Sequence, residues 1–248
     1  MLTLIRQELY KQLHGKFYIG WGIVTLAITL LSGYFYHNGG TALSAINTSG
    51  RVFGNGLSMV LIAMIVFASS LLTKDFANNT VKYLFARQFS RGKILISKLI
   101  TMVFMFVYLV VITFISTAIA NVLFNENRAF LWHDIFGYLI GMAFYLFLML
   151  SIVLLISNIF KSNAVAIAFG IVFYFVSNVI NVFLNILVDK MEWIKYNPLN
   201  FLNILRQYSI PEYSQLSRLS VTQLEVGSII WGIIFLLITY VVYNRRNV

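Results

Sequence analysis

The residues of this chain best able to do chemistry are cations and amides rather than acids or thiols. Between two long uncharged runs lies KDFANNTVKYLFARQFSRGKILISK, which carries Lys74, Lys82, Arg87, Arg91, Lys93 and Lys98 against one acid, Asp75. Its first half has a helical pattern, with apolar Phe76, Tyr83 and Leu84 among polar Asn78, Asn79 and Lys82. A short basic amphipathic helix in that position is suited to lie at a membrane surface and bind something there. Six cations would also hold anionic lipid headgroups, so charge alone does not choose between a lipid and a protein ligand.

A second constellation consists of amides. Asn163, Tyr174, Asn178, Asn181 and Asn185 fall in one narrow sector of a helical wheel. Asn163 to Asn185 covers about 33 Å of helix axis at 1.5 Å per residue. Amides turned to lipid would be costly, so this face must meet protein or water. It is either interhelical hydrogen-bonding glue or the lining of a transport path, Tyr174, Asn178, Asn181 and Asn185 being the pathway candidates. Thr113, Ser116, Thr117 and Asn121 form a weaker stripe of the kind used for packing in membrane helices.

Catalytic constellations are missing. There is no cysteine, which excludes thiol catalysis, thiolate metal sites and disulfides. The three histidines, His14, His37 and His133, fall in loops or at span ends, and His133-Asp134 reads as a solvated span edge. No GxxxxGK[ST] phosphate loop occurs; Gly15-Lys16 lacks both the earlier glycine and the following Ser or Thr. No ionisable residue falls in the middle of an apolar run, where ion-coupled transporters and intramembrane enzymes place theirs. If the chain transports actively, its energy must come from another polypeptide.

The elements that must position these groups are membrane helices. Sixty per cent of the 248 residues are hydrophobic and 10% charged, with a mean hydropathy of +0.84. A soluble domain of this length cannot hide so much apolar surface. Six runs lack Asp, Glu, Lys and Arg, and each can supply the roughly 20 apolar residues of a span. The expected spans lie near 17–36, 54–73, 99–124, 135–157, 164–188 and 227–243, continuously apolar rather than alternating as in a β-barrel. The whole of 1–248 reads as one transmembrane domain of all-α class.

Charge sets the orientation. Segments 1–16, 74–98, 158–163 and 244–248 hold 3, 6, 1 and 2 of the 18 basic residues, whereas 37–53, 125–134 and 189–226 hold 1, 1 and 4. The excess in the first set puts both termini in the cytoplasm; it also explains the net charge of +10 without nucleic acid. Residues 1–16 do not have the form of a cleaved signal peptide. They read as an interfacial helix with Leu2, Ile5, Leu9 and Leu13 on one face and Gln7, Glu8, Lys11 and His14 on the other. Residues 189–226, facing outside, contain a helix start at Asn197-Pro198 and apolar Trp193, Tyr196, Phe201, Leu202 and Leu205, which predicts short helices dipping toward the membrane. Thr222-Gln223-Leu224-Glu225 reads as a capping box opening the last span.

On these residues the chain resembles the six-span permease subunits of ABC type-2 exporters. Gln7-Glu8-Leu9-Tyr10-Lys11 looks like their opening amphipathic helix. Asp75, Asn79-Thr80, Lys82, Tyr83-Leu84, Ser90-Arg91 and Lys98 follow, in order, the pattern of their loop between spans two and three; Asp75 stands where Glu is usual and Gln88 where Pro often precedes Ser-Arg. The Pro198 region and Asn244-Arg245-Arg246 are similar to the family's outer helices and basic tail. The resemblance implies a cytoplasmic coupling helix docking on a separate ATP-binding cassette ATPase through Asp75, Phe76, Asn78, Asn79, Thr80, Lys82, Tyr83, Leu84, Phe85 and Arg87. It implies a second permease subunit, the same chain or a different one, and a bacterial plasma membrane. ATP and Mg would be bound by the partner, with no cofactor or metal on this chain and no catalysis of its own. The cargo it implies is an amphipathic peptide, as for export or immunity permeases, with a lipid or lipid-linked glycan as the alternative. Arg91 to Lys98 then read as the inside-facing anchor of the third span. A membrane-embedded enzyme and a non-transporting scaffold or sensor are the competing classes.

Overall fold

The computed structural model describes residues 1–39, 48–77, 90–124, 130–188 and 190–245. Among the described residues there is no strand. The helices are α1 (Leu2–His14), α2 (Phe17–Asn38), α3 (Ser49–Ala77), α4 (Arg91–Phe124), α5 (Trp132–Ser157) and α6 (Asn163–Val188). Two 3-10 turns follow, Glu192–Tyr196 and Asn200–Asn203, and then α7 (Ile204–Ser209), α8 (Tyr213–Ser217) and α9 (Val221–Arg245). Six of these, α2 to α6 and α9, are long and apolar enough to cross a membrane.

The helices overrun the expected spans for a physical reason. Hydropathy marks the hydrocarbon slab, whereas backbone hydrogen bonding marks the helix. The 34 residues of α4 extend about 51 Å, against a hydrocarbon core of about 30 Å. Its start moves from 99 back to Arg91, and that of α3 from 54 back to Ser49, placing Arg51 inside a helix. Conversely, α1 and α2 do not merge, although little in the composition separates them. Lys16 breaks the run with a left-handed backbone at φ 54°, a conformation that costs a non-glycine residue about 1–2 kcal/mol.

The chain forms two compact units, Met1–Met64 with Ser97–Ile140, and Ile65–Ile96 with Gly141–Val248. In the first, α3 contributes buried Val52, Phe53, Leu57, Val60 and Leu61, packed with polar Thr25 and Thr29 of α2 and Thr113 and Thr117 of α4. These threonine hydroxyls mostly bond back to their own helices, Thr113 to Leu109 O and Thr117 to Thr113 O at 2.8 Å each. Gly56 lets the helices close: a Cβ there would strike both Thr29 and Thr113. The Thr113 stripe is thus packing, as its composition suggested. In the second unit α5 supplies Leu146, Leu148, Met149 and Val153, all buried.

The exposed side of α6 is continuously apolar, with Val165, Phe169, Val172, Phe175, Val179 and Phe183 outward. Its buried side carries Ala166, Gly170, Ser177, Asn181 and Asn185. Polar residues inside and apolar residues outside is the arrangement lipid imposes.

The terminal helix α1 differs from the expected pattern at one residue, Glu8. Its buried residues are Leu4 and Glu8, whereas Leu2 and Leu13 are exposed. Glu8, expected on a solvated face, turns inward because it has a cation to meet there.

Candidate functional site

In the first unit, Glu8 Oε2 lies 3.4 Å from Lys98 Nζ, both side chains being almost fully buried, and Glu8 Oε1 takes Lys11 Nζ at 2.9 Å. Lys98 sits two turns into α4, and its ammonium meets Glu8. A buried pair of this kind favours one register, because moving either member away weakens the pairing of a buried charge. No sequence rule links residues 90 positions apart. The available signal was the position of Glu8 one turn from Leu4 on a helix otherwise poor in acids.

In the second unit another basic residue of this stretch, Arg91, has a different task. Arg91 Nη1 donates to the carbonyls of Tyr243 and Asn244. A guanidinium on the last carbonyls of α9 satisfies acceptors that the helix leaves unpaired and complements its negative end. Thr73 Oγ1 donates to Asn163 Oδ1 at 2.9 Å, joining the last turns of α3 to the first of α6. Asn158 Nδ2 donates to Thr239 O at 3.2 Å. Asp75 is buried. Asn78, Asn79, Thr80, Lys82, Tyr83, Leu84, Phe85 and Arg87 lie outside the described residues, and Phe76 falls in the last turn of α3, where the backbone alone is described.

The amide stripe of α6 meets the short helices that follow it. Asn181 and Asn203 exchange amide bonds at 3.0 and 3.3 Å. The Asn203 amide also donates to Asn185 Oδ1 at 3.2 Å and Asn200 Oδ1 at 2.9 Å. Asn200 in turn donates to Lys195 O at 2.8 Å and Ser217 O at 3.0 Å. Arg206 Nη2 reaches Asn178 Oδ1 at 3.0 Å, and Asn178 donates to Tyr174 O at 2.8 Å. The polar groups of the stripe therefore bond to one another, to the 200–206 segment and, at Asn163, to Thr73 of α3. Asn200, Asn203 and Gln207 are buried polar residues that the sequence did not single out. Each is satisfied, as a buried amide must be; Gln207 holds Leu219 O at 3.0 Å and takes the Ser217 hydroxyl at 3.0 Å.

The same segment is joined to α9. Phe201 packs against Gly227 so closely that a Cβ there would overlap its ring. Trp231 Nε1 donates to Tyr196 O at 3.2 Å, and the Tyr208 hydroxyl donates to the Glu225 carboxylate. Burial first, and then that bond and the carboxylate's charge, push the Tyr208 phenol up to about 12. The helix-opening box differs from expectation by two residues. Ser220 Oγ takes Gln223 N at 3.2 Å while Gln223 Oε1 takes Ser220 N at 2.9 Å. Glu225, the expected partner of Thr222, is engaged by Tyr208 instead. Asn197 does cap, its Oδ1 accepting Leu199 N at 2.9 Å, but what it opens is a turn leading into the 3-10 segment at Asn200.

Six long apolar helices, polar groups turned inward and apolar side chains outward define a multi-pass, all-α membrane protein. Over residues 26–248 the chain matches the family model described as "Protein of unknown function (DUF2705)", and it belongs to that family. None of the curated proteins matches it. Among the described residues no group of three His, Cys, Asp or Glu is placed to hold a metal ion.

Proposed function

We propose that this protein is the membrane subunit of an ATP-driven exporter of the ABC type-2 kind, working in the plasma membrane of a bacterium with a separate ATPase and a second permease. The observation that carries the reading is the pairing of six membrane-crossing helices with a basic, aromatic segment, 78–90, between the second and third. The charge-free spans and the lack of a phosphate loop support it, since they leave energy to a partner. In this reading α1 is an interfacial helix, the segment after α3 is the coupling helix, and the short helices between α6 and α9 lie on the outer side. Phe76, Tyr83 and Phe85 are the anchors on the ATPase, as buried aromatic residues are in protein interfaces generally. The helices flanking the segment, α3 and α4, are long enough to pass movement of that partner into the bundle. The cargo is an amphipathic peptide. A lipid or lipid-linked glycan is the alternative cargo.

Affinity purification tests the assignment. Tagged protein expressed with its neighbouring genes carries an ATPase with it, and Tyr83→Asp abolishes that association while membrane insertion persists. Purification without any ATPase would leave a scaffold or sensor as the better description.

A further inference from the structure

The segment after α6 brings a charge to a depth at which the apolar runs carry none. Arg206 of α7 donates through Nη2 to Asn178 Oδ1 at 3.0 Å. Asn178 stands about 15 Å of helix axis before Val188 and about 22 Å after Asn163, close to the middle of α6. The fold fixes both partners. Asn178 gives its nitrogen to Tyr174 O at 2.8 Å, which leaves its oxygen for the guanidinium. The segment carrying Arg206 is held against α6 by Asn203, bonded to Asn181 and Asn185, and is tied further on by Gln207, bonded to Leu219 O.

A charge at that level of a membrane helix is costly, and membrane proteins keep one there for function. The neighbours of Arg206 do not neutralise it. They are the Asn178 amide and the Tyr213 ring, whose centroid lies 5.8 Å from the guanidinium carbon. Among the described residues no carboxylate forms an ion pair with it. The phenols of Tyr145 and Tyr174 are close enough to feel its charge. Arginine keeps its proton, so the group is suited to binding an anion rather than to passing protons. Tyr174, Asn178 and Arg206 are only half-buried, and their edge continues into apolar surface. Phe175 and Val182, at i−3 and i+4 from Asn178, neighbour it on the helix, and both are exposed. The Phe175 ring meets that of Tyr174 at 5.1 Å.

We propose that Arg206, with Asn178 and Tyr174 beside it, binds the carboxylate of an apolar-tailed amphiphile whose tail lies along Phe175 and Val182. A guanidinium presents parallel N–H groups to the two oxygens of a carboxylate, and one charge answers one charge. The tail carries the anion to a level that a free ion does not reach. The site lies within one compact unit and does not depend on the export reading.

Native mass spectrometry of the detergent-purified full chain tests it, with titration in alkaline buffer by oleate or by oleyl alcohol, the uncharged amphiphile of the same chain length. The wild type retains oleate about tenfold more tightly, a difference of about 1.4 kcal/mol. Arg206→Gln loses the preference, Arg206→Lys keeps part of it, and Arg6→Gln, on the exposed side of α1, leaves it unchanged. Asn178→Asp sets a carboxylate of the chain's own beside the guanidinium. It loses the preference while melting no lower than wild type, which separates a filled site from a damaged fold. Equal retention of the two amphiphiles by wild type, or an undiminished preference in Arg206→Gln or Asn178→Asp, overturns the proposal. Displacement of oleate by millimolar acetate would assign the site to a free anion and overturn the amphiphile.

Discussion

Leucine spacing in α1 gives an apolar side at Leu2, Ile5, Leu9 and Leu13, with Leu2 84% exposed, but it does not announce that Glu8, only 2% exposed, turns inward to meet Lys98. Stranding one charge of a buried pair costs about 3–5 kcal/mol, whereas replacing both by apolar groups is often neutral. Lys98→Met leaves Glu8 with Lys11, so it is expected to lower the unfolding free energy of the purified protein by less than that, about 1–3 kcal/mol, and Glu8→Leu with Lys98→Met to recover part of it. A thermal or denaturant melt of the three variants reads the order, and a double variant no better than the single would mean that the contact is incidental. The residues legible in advance were those whose chemistry is local or periodic. The amide face of α6 follows from the cost of polar groups in lipid, and Asn197 caps as its type suggests. What the sequence withheld were the partners: Asn203 for Asn181 and Asn185, Lys98 for Glu8, Arg206 for Asn178. Each joins side chains from 18 to 90 positions apart, and no periodicity encodes such a distance.

At the scale of elements, the six long helices were legible because lipid demands runs of apolar residues, and their ends were not, because hydrogen bonding continues past the slab. The opening of α9 shows the second kind of ambiguity. Ser220–Gln223 and Thr222–Glu225 both fit the capping-box spacing, and the choice falls to the first because Tyr208 of α7 claims Glu225. That claim has a pH signature. The folded-state phenol titrates near 12, above its ordinary value of 10, so the native state holds the Tyr208 proton more tightly than the unfolded chain. Its contribution to stability is complete below pH 10 and is lost as pH rises from 10 toward 12. Tyr208→Phe removes that loss: melting midpoints of variant and wild type should differ most at neutral pH and converge across this window. Curves running parallel through it would show that the hydrogen bond does not tie α7 to α9 in solution.

For the whole molecule, six crossings would put the two ends of the span series on one side, and the proposed function takes that side, from the excess of lysine and arginine, to be the cytoplasm. Segments before α2, between α3 and α4, between α5 and α6 and after α9 form one set, and the 189–220 helices belong to the other. The chain has no cysteine, so single cysteines introduced at exposed positions report on sidedness without background. Leu2→Cys, Ser90→Cys and Lys161→Cys should react with an impermeant maleimide only after the membrane is opened, and Trp193→Cys in intact cells. All four positions are exposed in the folded chain, and labelling after the membrane is opened is the control that each cysteine can react. Labelling of Ser90→Cys in intact cells would invert the topology. The basic segment between α3 and α4 would then face away from any cytoplasmic ATPase, and the exporter assignment would lose its physical basis. Labelling of Trp193→Cys and Ser90→Cys from the same side would go further, since α4, α5 and α6 could not then each cross once.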